Sequence, residues 1–233
     1  MGDGQIYMIP CPIEEGAIST LPEDTISKLH QLKCFVVERS KTARAFLKLS
    51  NHPTPQSEFV LFEWDKNNPE VGLYQFLSKH SKDHSIGVIS EAGCPGVADP
   101  GALIVTWAHK NKIRVSPLVG PSSILLALMA SGFSGQSFCF HGYLPIKKDE
   151  LSSKLRNLES IVHKRKQTQI FMETPYRNNG MFQILLRTLS SNTKLCIARS
   201  ITGENEWIKT ATITQWKSIE VDLHKQPCIF LIG

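Results

Sequence analysis

Short apolar runs separated by stretches of helical spacing recur along the first half of the chain. Val, Ile and Phe concentrate at Gln5–Ile9, Cys34–Glu38, Phe59–Glu63, Ser85–Ser90 and Arg114–Leu118, each too short for a helix, and strands are predicted there. Between them the apolar positions fall at helical intervals, from Pro22 to about Lys33 and over Thr42–Leu49, Val71–Lys79 and Leu103–Lys110. Pro22-Glu23-Asp24 puts acids in the first turn of the first helix, with Thr20 as its candidate cap. Strand and helix alternating at this spacing imply right-handed βαβ units and a mainly parallel sheet.

The pattern changes character at Pro117-Leu118-Val119-Gly120-Pro121, which breaks both periodicities and marks a seam. A very apolar helix, Ser122–Met129, follows it. Strand-like runs at Phe138–His141, Gln169–Glu173, Lys194–Arg199, Trp207–Ile213 and Cys228–Ile232 are then spaced by helices near Lys148–His163 and Asn179–Leu189. Trp207–Ile213 alternates apolar and polar, as an antiparallel strand with one exposed face does. The chain of 233 residues is therefore expected to form two α/β domains, residues 1–117 with a mainly parallel sheet and residues 118–233 with a mixed one.

Composition narrows the class without naming a chemistry. Hydrophobic residues make up 41% and charged residues 20%, the balance of an ordinary globular protein. No apolar run approaches the ~20 residues that span a bilayer. The start, Met1-Gly2-Asp3-Gly4-Gln5, lacks the basic and apolar regions of a signal peptide, so a cytoplasmic protein is expected. The six cysteines stand singly, with no C-x-x-C pair and no histidine at ligand spacing, and no metal site is expected. Cys34, Cys139, Cys196 and Cys228 lie in apolar strand patterns and read as small buried hydrophobes. The net charge of +5 is uneven: residues 1–117 hold 12 basic and 13 acidic groups, residues 118–233 hold 14 and 8. Lys147 to Lys166 contributes much of that excess, either as a solvated helix face or as a face for a polyanion such as RNA.

The loops after the predicted strands carry the candidate chemistry. Ser90-Glu91-Ala92-Gly93-Cys94-Pro95-Gly96-Val97-Ala98-Asp99-Pro100-Gly101 holds three glycines and two prolines between a strand and a helix. Such a run stops both elements and either closes a structural turn or offers backbone N–H groups to a ligand. Gly120-Pro121-Ser122-Ser123 precedes the apolar helix, where Ser122 can cap the helix or meet a ligand. Glu173-Thr174-Pro175-Tyr176-Arg177 gathers an acid, a hydroxyl, an aromatic ring and a guanidinium at one strand end. Cys11-Pro12-Ile13-Glu14-Glu15-Gly16 is a fourth such loop. The dinucleotide, P-loop, zinc-protease and nucleophile-elbow signatures are all missing from the sequence.

Taken in order, Ile6–Ile13, Ser90–Gly101, Pro117–Ser123, Gly142-Tyr143-Leu144-Pro145 with Lys147-Lys148, and Phe171–Arg177 resemble the tetrapyrrole (corrin/porphyrin) methylase superfamily. Their spacing is most similar to its branch of small-subunit ribosomal RNA methyltransferases, which methylate a ribose 2′-hydroxyl. The resemblance implies two α/β domains of the class III type with S-adenosylmethionine (SAM) in the cleft between them, a homodimer, and RNA or the ribosomal small subunit as partner. Carried over by position, Pro10, Glu91, Ala92, Gly93, Val97, Ser122, Phe138, Met172, Pro227 and Cys228 would surround the cofactor. Val97, Phe138 and Met172 read equally well as core residues. Arg39, Lys41, Arg44, Tyr176, Arg177 and the Lys147–Lys166 face would bind the acceptor. Glu38, Glu173 and Glu204 are the candidate general bases, each also a candidate salt-bridge partner.

The chain departs from that branch on its acceptor side. Glu14-Glu15-Gly16-Ala17 stands where a Gly-Asn-Leu-Gly-Asp-like turn is expected, and Glu38-Arg39-Ser40-Lys41 replaces a Glu-Asp-Thr-Arg-like string. Phe62-Glu63-Trp64-Asp65 has lost two histidines, Glu91 replaces an Asp, and a C-terminal extension of the relatives is missing after Gly233. SAM binding is expected to survive these changes better than acceptor identity. Methylation of a tetrapyrrole or protein acceptor, or a SAM- or RNA-binding module without transfer, are the rival readings.

Overall fold

The computed structural model describes residues 4–64, 68 and 70–233, so Met1–Asp3 and Asp65 lie outside the described residues. The chain divides into two compact units, Met1–Ser122 and Ser123–Gly233. The boundary falls after residue 122, not 117, because the seam is tied into the first unit. Leu118 N–H donates to Met8 C=O at 3.0 Å, and the Thr25 hydroxyl donates to Val119 C=O at 2.7 Å.

In the first unit, strands β1 (Ile6–Ile9), β2 (Cys34–Val37), β3 (Val60–Glu63), β4 (Ile86–Ile89) and β5 (Val115–Pro117) pair in the order β3-β2-β4-β1-β5. All four pairings are parallel. Successive strand residues face opposite layers. Ile9, Phe35, Val37 and Ile89 pack under α1 (Glu23–Leu29) and α2 (Ser40–Leu49), while Ile6, Met8, Val36 and Val88 pack under α3 (Leu73–His80) and α4 (Ala102–Lys110). A parallel sheet buried on both faces needs this near-continuous apolar pattern. Thr20 does not cap α1: its hydroxyl donates to Ala17 C=O at 2.7 Å inside a 3-10 turn, and Pro22 takes the cap position without a side-chain bond.

The second unit has β6 (Phe138–Tyr143), β7 (Thr168–Met172), β8 (Lys194–Arg199), β9 (Trp207–Thr212) and β10 (Cys228–Ile232) in the order β6-β7-β10-β8-β9. The β6–β7 pair is parallel and the rest are antiparallel. One face packs under α6 (Lys148–Arg165), α7 (Asn178–Thr188) and α8 (Ile213–Trp216), the other under α5 (Ser123–Ser131). Strand β9 stops at Thr212, one residue before the predicted end, because Thr212 and Gln215 form a capping box that opens α8. Cys34, Cys196 and Cys228 are buried as expected, whereas Cys139 is only half-buried on edge strand β6.

Candidate functional site

The strand order of the first unit reverses between β1 and β4. The chain leaves β1 toward β2 across α1, and leaves β4 toward β5 across α4 on the other face, so the loops at their carboxyl ends diverge. Open α/β sheets bind ligands at such a point. A cleft of about 490 Å3 lies there, walled by the Cys11–Gly16 loop, α2 and the end of β4.

Backbone bonds hold the loops around this point. Cys11 and Gly93 exchange both main-chain hydrogen bonds, at 2.9 and 3.1 Å, and Gly93 sits at φ +67°, where a side chain is disfavoured. The Ser90 hydroxyl lies 3.3 Å from the carbonyls of Ala92 and Gly93. Asp99 accepts from the N–H groups of Gly96 and Gly101 at 2.6 and 2.7 Å, pinning the second half of the loop, and burial raises its carboxyl above the usual range. The Cys94 thiol donates to Pro121 C=O at 3.4 Å, and burial pushes its pKa up, which suits a donor and not a nucleophile. Gly120 lies so close to Pro10 that an added Cβ would stand 2.2 Å from the proline ring.

Strand β2 and helix α2 join the same loop through carboxylates. Glu38 Oε1 accepts from Glu91 N–H at 3.2 Å. The Glu91 carboxylate accepts from the Thr42 hydroxyl at 2.6 Å and lies 3.9 Å from Arg39 Nε. The Glu91 side chain thus reaches α2. Nearby, Glu63 accepts from Ser40 N–H at 2.8 Å, and these Ser40 bonds hold its carboxyl below the usual range. Lys41 is exposed on the first turn of α2. Arg44 is half-buried, and its guanidinium donates to the main-chain oxygen of Gln56 and fastens α2 to the turn before β3.

In the second unit the ends of β7 and β8 and the start of β10 share one sheet edge, since Met172 pairs with Ile229 and Arg199 with Cys228. Glu173 is buried there, with Oε1 2.5 Å from Arg177 Nη2 and 2.6 Å from Thr174 N–H. That pair favours the salt-bridge alternative for Glu173, and Arg177 spends one nitrogen on it, with its buried Nε unpartnered among the described residues. Glu204 lies in the exposed turn between β8 and β9. Tyr176 is 71% exposed.

Among the described residues no cluster of three or more His, Cys, Asp or Glu is placed to hold a metal ion. No protein-family model matches the chain. It is 29% identical over 232 residues to ribosomal RNA small subunit methyltransferase I of Buchnera aphidicola (subsp. Schizaphis graminum), covering 98% of this chain and 78% of the relative. The protein of that name from Vibrio cholerae is 27% identical, over 97% of this chain and 76% of its own. Among solved structures, the methyltransferase CobJ superposes with a TM-score of 0.65 at 14% identity, over 99% of this chain and 94% of its own. The fold is that of the tetrapyrrole methylases. A uroporphyrin-III C-methyltransferase from Thermus thermophilus, solved with S-adenyl homocysteine, aligns at TM-score 0.57 and 14% identity over 99% of this chain and 97% of its own.

Within the tetrapyrrole-methylase fold the residues implied for the cofactor separate into groups. Ala92 and Val97 are exposed on the Gly/Pro loop, and Ser122 is half-buried beside Pro121. Pro10 and Gly93 are buried, and Glu91 and Gly93 use their N–H groups on Glu38 and Cys11, so these residues shape the loop and have no N–H left to offer. Met172 faces α5, but Cys228 faces the opposite core and its thiol is pushed up to about 12 by burial. Pro227 uses its carbonyl on Ser200 N–H at 2.9 Å. Phe138 pairs with Thr168, four residues and about 13 Å from Met172 along the strand, and so sits at the other end of the sheet.

The basic face predicted on α6 divides likewise. Lys147 and Lys148 follow β6 at the Tyr143 end, where Lys147 pairs with Glu150 at 3.2 Å, while Lys164–Lys166 reach the Thr168 end. His163, Lys164 and Arg165 lie in the last turn, where they complement the helix dipole. Asp99 is legible within the Gly/Pro run itself, whereas only folding brings Asn178, Asn179 and Lys225 together.

Proposed function

We propose that the chain is a SAM-dependent methyltransferase acting on a ribose 2′-hydroxyl of small-subunit ribosomal RNA. The observation that carries this reading is similarity along 98% of the chain to relatives of that RNA-methylating name, on a tetrapyrrole-methylase fold. SAM, when bound, supplies a methyl group on a sulfonium that leaves as a neutral thioether. The chain fits it in the first unit, where the exposed Ala92 and Val97 lie on a loop already stiffened by Cys11, Asp99 and Glu38, and Ser122 follows Pro121, to which Cys94 of that loop is hydrogen-bonded. Glu38 is the carboxylate we assign to that loop, as a positioning group for Glu91. Glu38→Gln keeps an acceptor oxygen and should retain SAM binding, whereas a base at this position would lose transfer altogether.

Transfer of labelled methyl from SAM to small ribosomal subunits, with mass spectrometry of the RNA from cells with and without the gene, tests the reading. One ribose methylation should vanish in the deletion and return on complementation. If every ribose methylation persists and the purified protein methylates no subunit, the RNA reading fails. No helix of the described residues is long and apolar enough to cross a membrane. We place the protein in the cytoplasm with its RNA, as a homodimer, which light scattering of the purified chain checks.

A further inference from the structure

The Tyr176 ring is 71% exposed, yet the loop that carries it is firmly held. Two segments far apart in sequence are bonded to each other beneath it. Lys225 N–H donates to Pro175 C=O at 3.0 Å, and the Asn178 amide donates to Gln226 C=O at 2.6 Å. Asn179 closes the other side, donating to Asp222 at 2.7 Å and accepting from Leu223 N–H at 2.8 Å. Lys225 adopts φ +58°, a left-handed conformation that a residue with a Cβ disfavours and that the Pro175 bond fixes. The result is a set of side chains around one ring. Lys225 Nζ stands over the Tyr176 ring 6.0 Å from its centroid, and the His224 ring meets it edge-on at 6.0 Å.

We infer that Tyr176, His224 and Lys225 form a subsite for one unpaired nucleotide of the RNA acceptor, with the base stacked on Tyr176 and its phosphate held by Lys225. This rests on the RNA reading above and adds to it the residues that grip the acceptor. An aromatic ring accepts any base face, and a lysine beside it meets the backbone charge, which is how single strands are held without sequence reading. In a duplex the bases stack on each other and leave no face for the ring, so the nucleotide must be unpaired. An acidic peptide would satisfy Lys225 but give no role to an open ring. Arg177 is left out of the subsite because its guanidinium pairs with Glu173 at 2.5 Å.

The test is fluorescence anisotropy of the full chain with a short labelled single-stranded RNA and with the matching duplex, alongside calorimetry with SAM. Tyr176→Ala should weaken single-strand binding about tenfold or more, and Tyr176→Phe should bind as the parent does. Lys225→Ala should weaken binding and flatten its salt dependence by roughly one phosphate contact. SAM affinity and the melting temperature should not move in any of the three. Parent-like RNA binding by Tyr176→Ala overturns the subsite and leaves the RNA reading standing. A Lys225 effect without a Tyr176 effect also overturns it, in favour of a purely anionic ligand. If the parent chain binds SAM but no RNA, the RNA reading itself falls and the subsite with it.

Discussion

The two strand-end edges of this chain differ in what ties their central loop. In the first unit, Cys11 and Gly93 exchange main-chain bonds, and a glycine lets Pro10 close against the seam, with the Glu38, Glu91 and Asp99 carboxylates bracing the loop around them. In the second unit, one main-chain bond from Lys225 to Pro175 is outnumbered by side-chain joins: Glu173 with Arg177, Asn178 with Gln226, Asn179 with Asp222. An edge made of backbone contacts tolerates exchange of its exposed side chains and fails when a Cβ is added. An edge made of side-chain pairs fails when one partner is removed.

Gly120→Val attacks the first arrangement hardest, because its Cβ would lie 2.2 and 2.4 Å from atoms of Pro10. A loss of about 3 kcal/mol is expected from such overpacking, read as a lower melting temperature in calorimetry. A variant that melts with the parent would show that the seam yields easily and that backbone packing does not hold this edge. Arg177→Ala attacks the second. Glu173 keeps 7% of its exposure and would lose its charge partner, but the arginine side chain is 39% exposed, so the pair is worth less than a fully buried one. We expect a loss of about 2 kcal/mol in urea unfolding, with most of it recovered when Glu173→Gln is added.

Gly93→Ala probes the first edge with a smaller expected loss. The nearest atom to its Cβ would be Pro121 O at 3.6 Å, ordinary contact, so only the left-handed backbone is penalised, by about 1 kcal/mol. Calorimetry with SAM should register a larger effect than unfolding does, because the bonds to Cys11 fix the Ala92 backbone next door. Equal effects would make the loop a structural turn only.

The smallest effect is a pH dependence confined to the first unit. His52 Nε2–H donates to the carbonyls of Leu29 and Leu32, and Nδ1 accepts from Thr54 N–H at 3.1 Å, so the ring is needed neutral. Burial, the first cause, lowers its pKa from the usual 6.5. The neutral form is therefore favoured by folding. Its contribution is complete above the unfolded pKa and is lost as pH falls through the folded one. The urea midpoint should drop slightly on acidification below about pH 6.5, and less so in His52→Gln.

Much of this architecture was legible because its signals are local. Strands with a 2-residue alternation between two apolar layers, and helices between them, appear in the order the apolar runs predict. The Gly/Pro run was recognisable as a strand-end loop for the same reason, since its glycines report backbone needs directly. The site residues were less legible where strand register decides. Met172 and Cys228 both end or begin a strand at one edge, but they point to opposite faces, and Phe138 belongs to the far end of the same sheet. Arg44 and Arg177 carried the right charge in the right motifs, yet each is drawn into a local bond.

By itself the sequence determined the two α/β units, the strand-end position of each candidate loop and the resemblance to the tetrapyrrole methylases. Each of these depends on periodicity or on residues close together in the chain. Only the tertiary structure decided which polar groups remain open to a ligand. Whether Gly93 offers its N–H or spends it on Cys11, and whether Tyr176 stands alone or beside Lys225, depends on segments distant in sequence meeting at hydrogen-bond range. Spacing along a chain carries no record of that meeting.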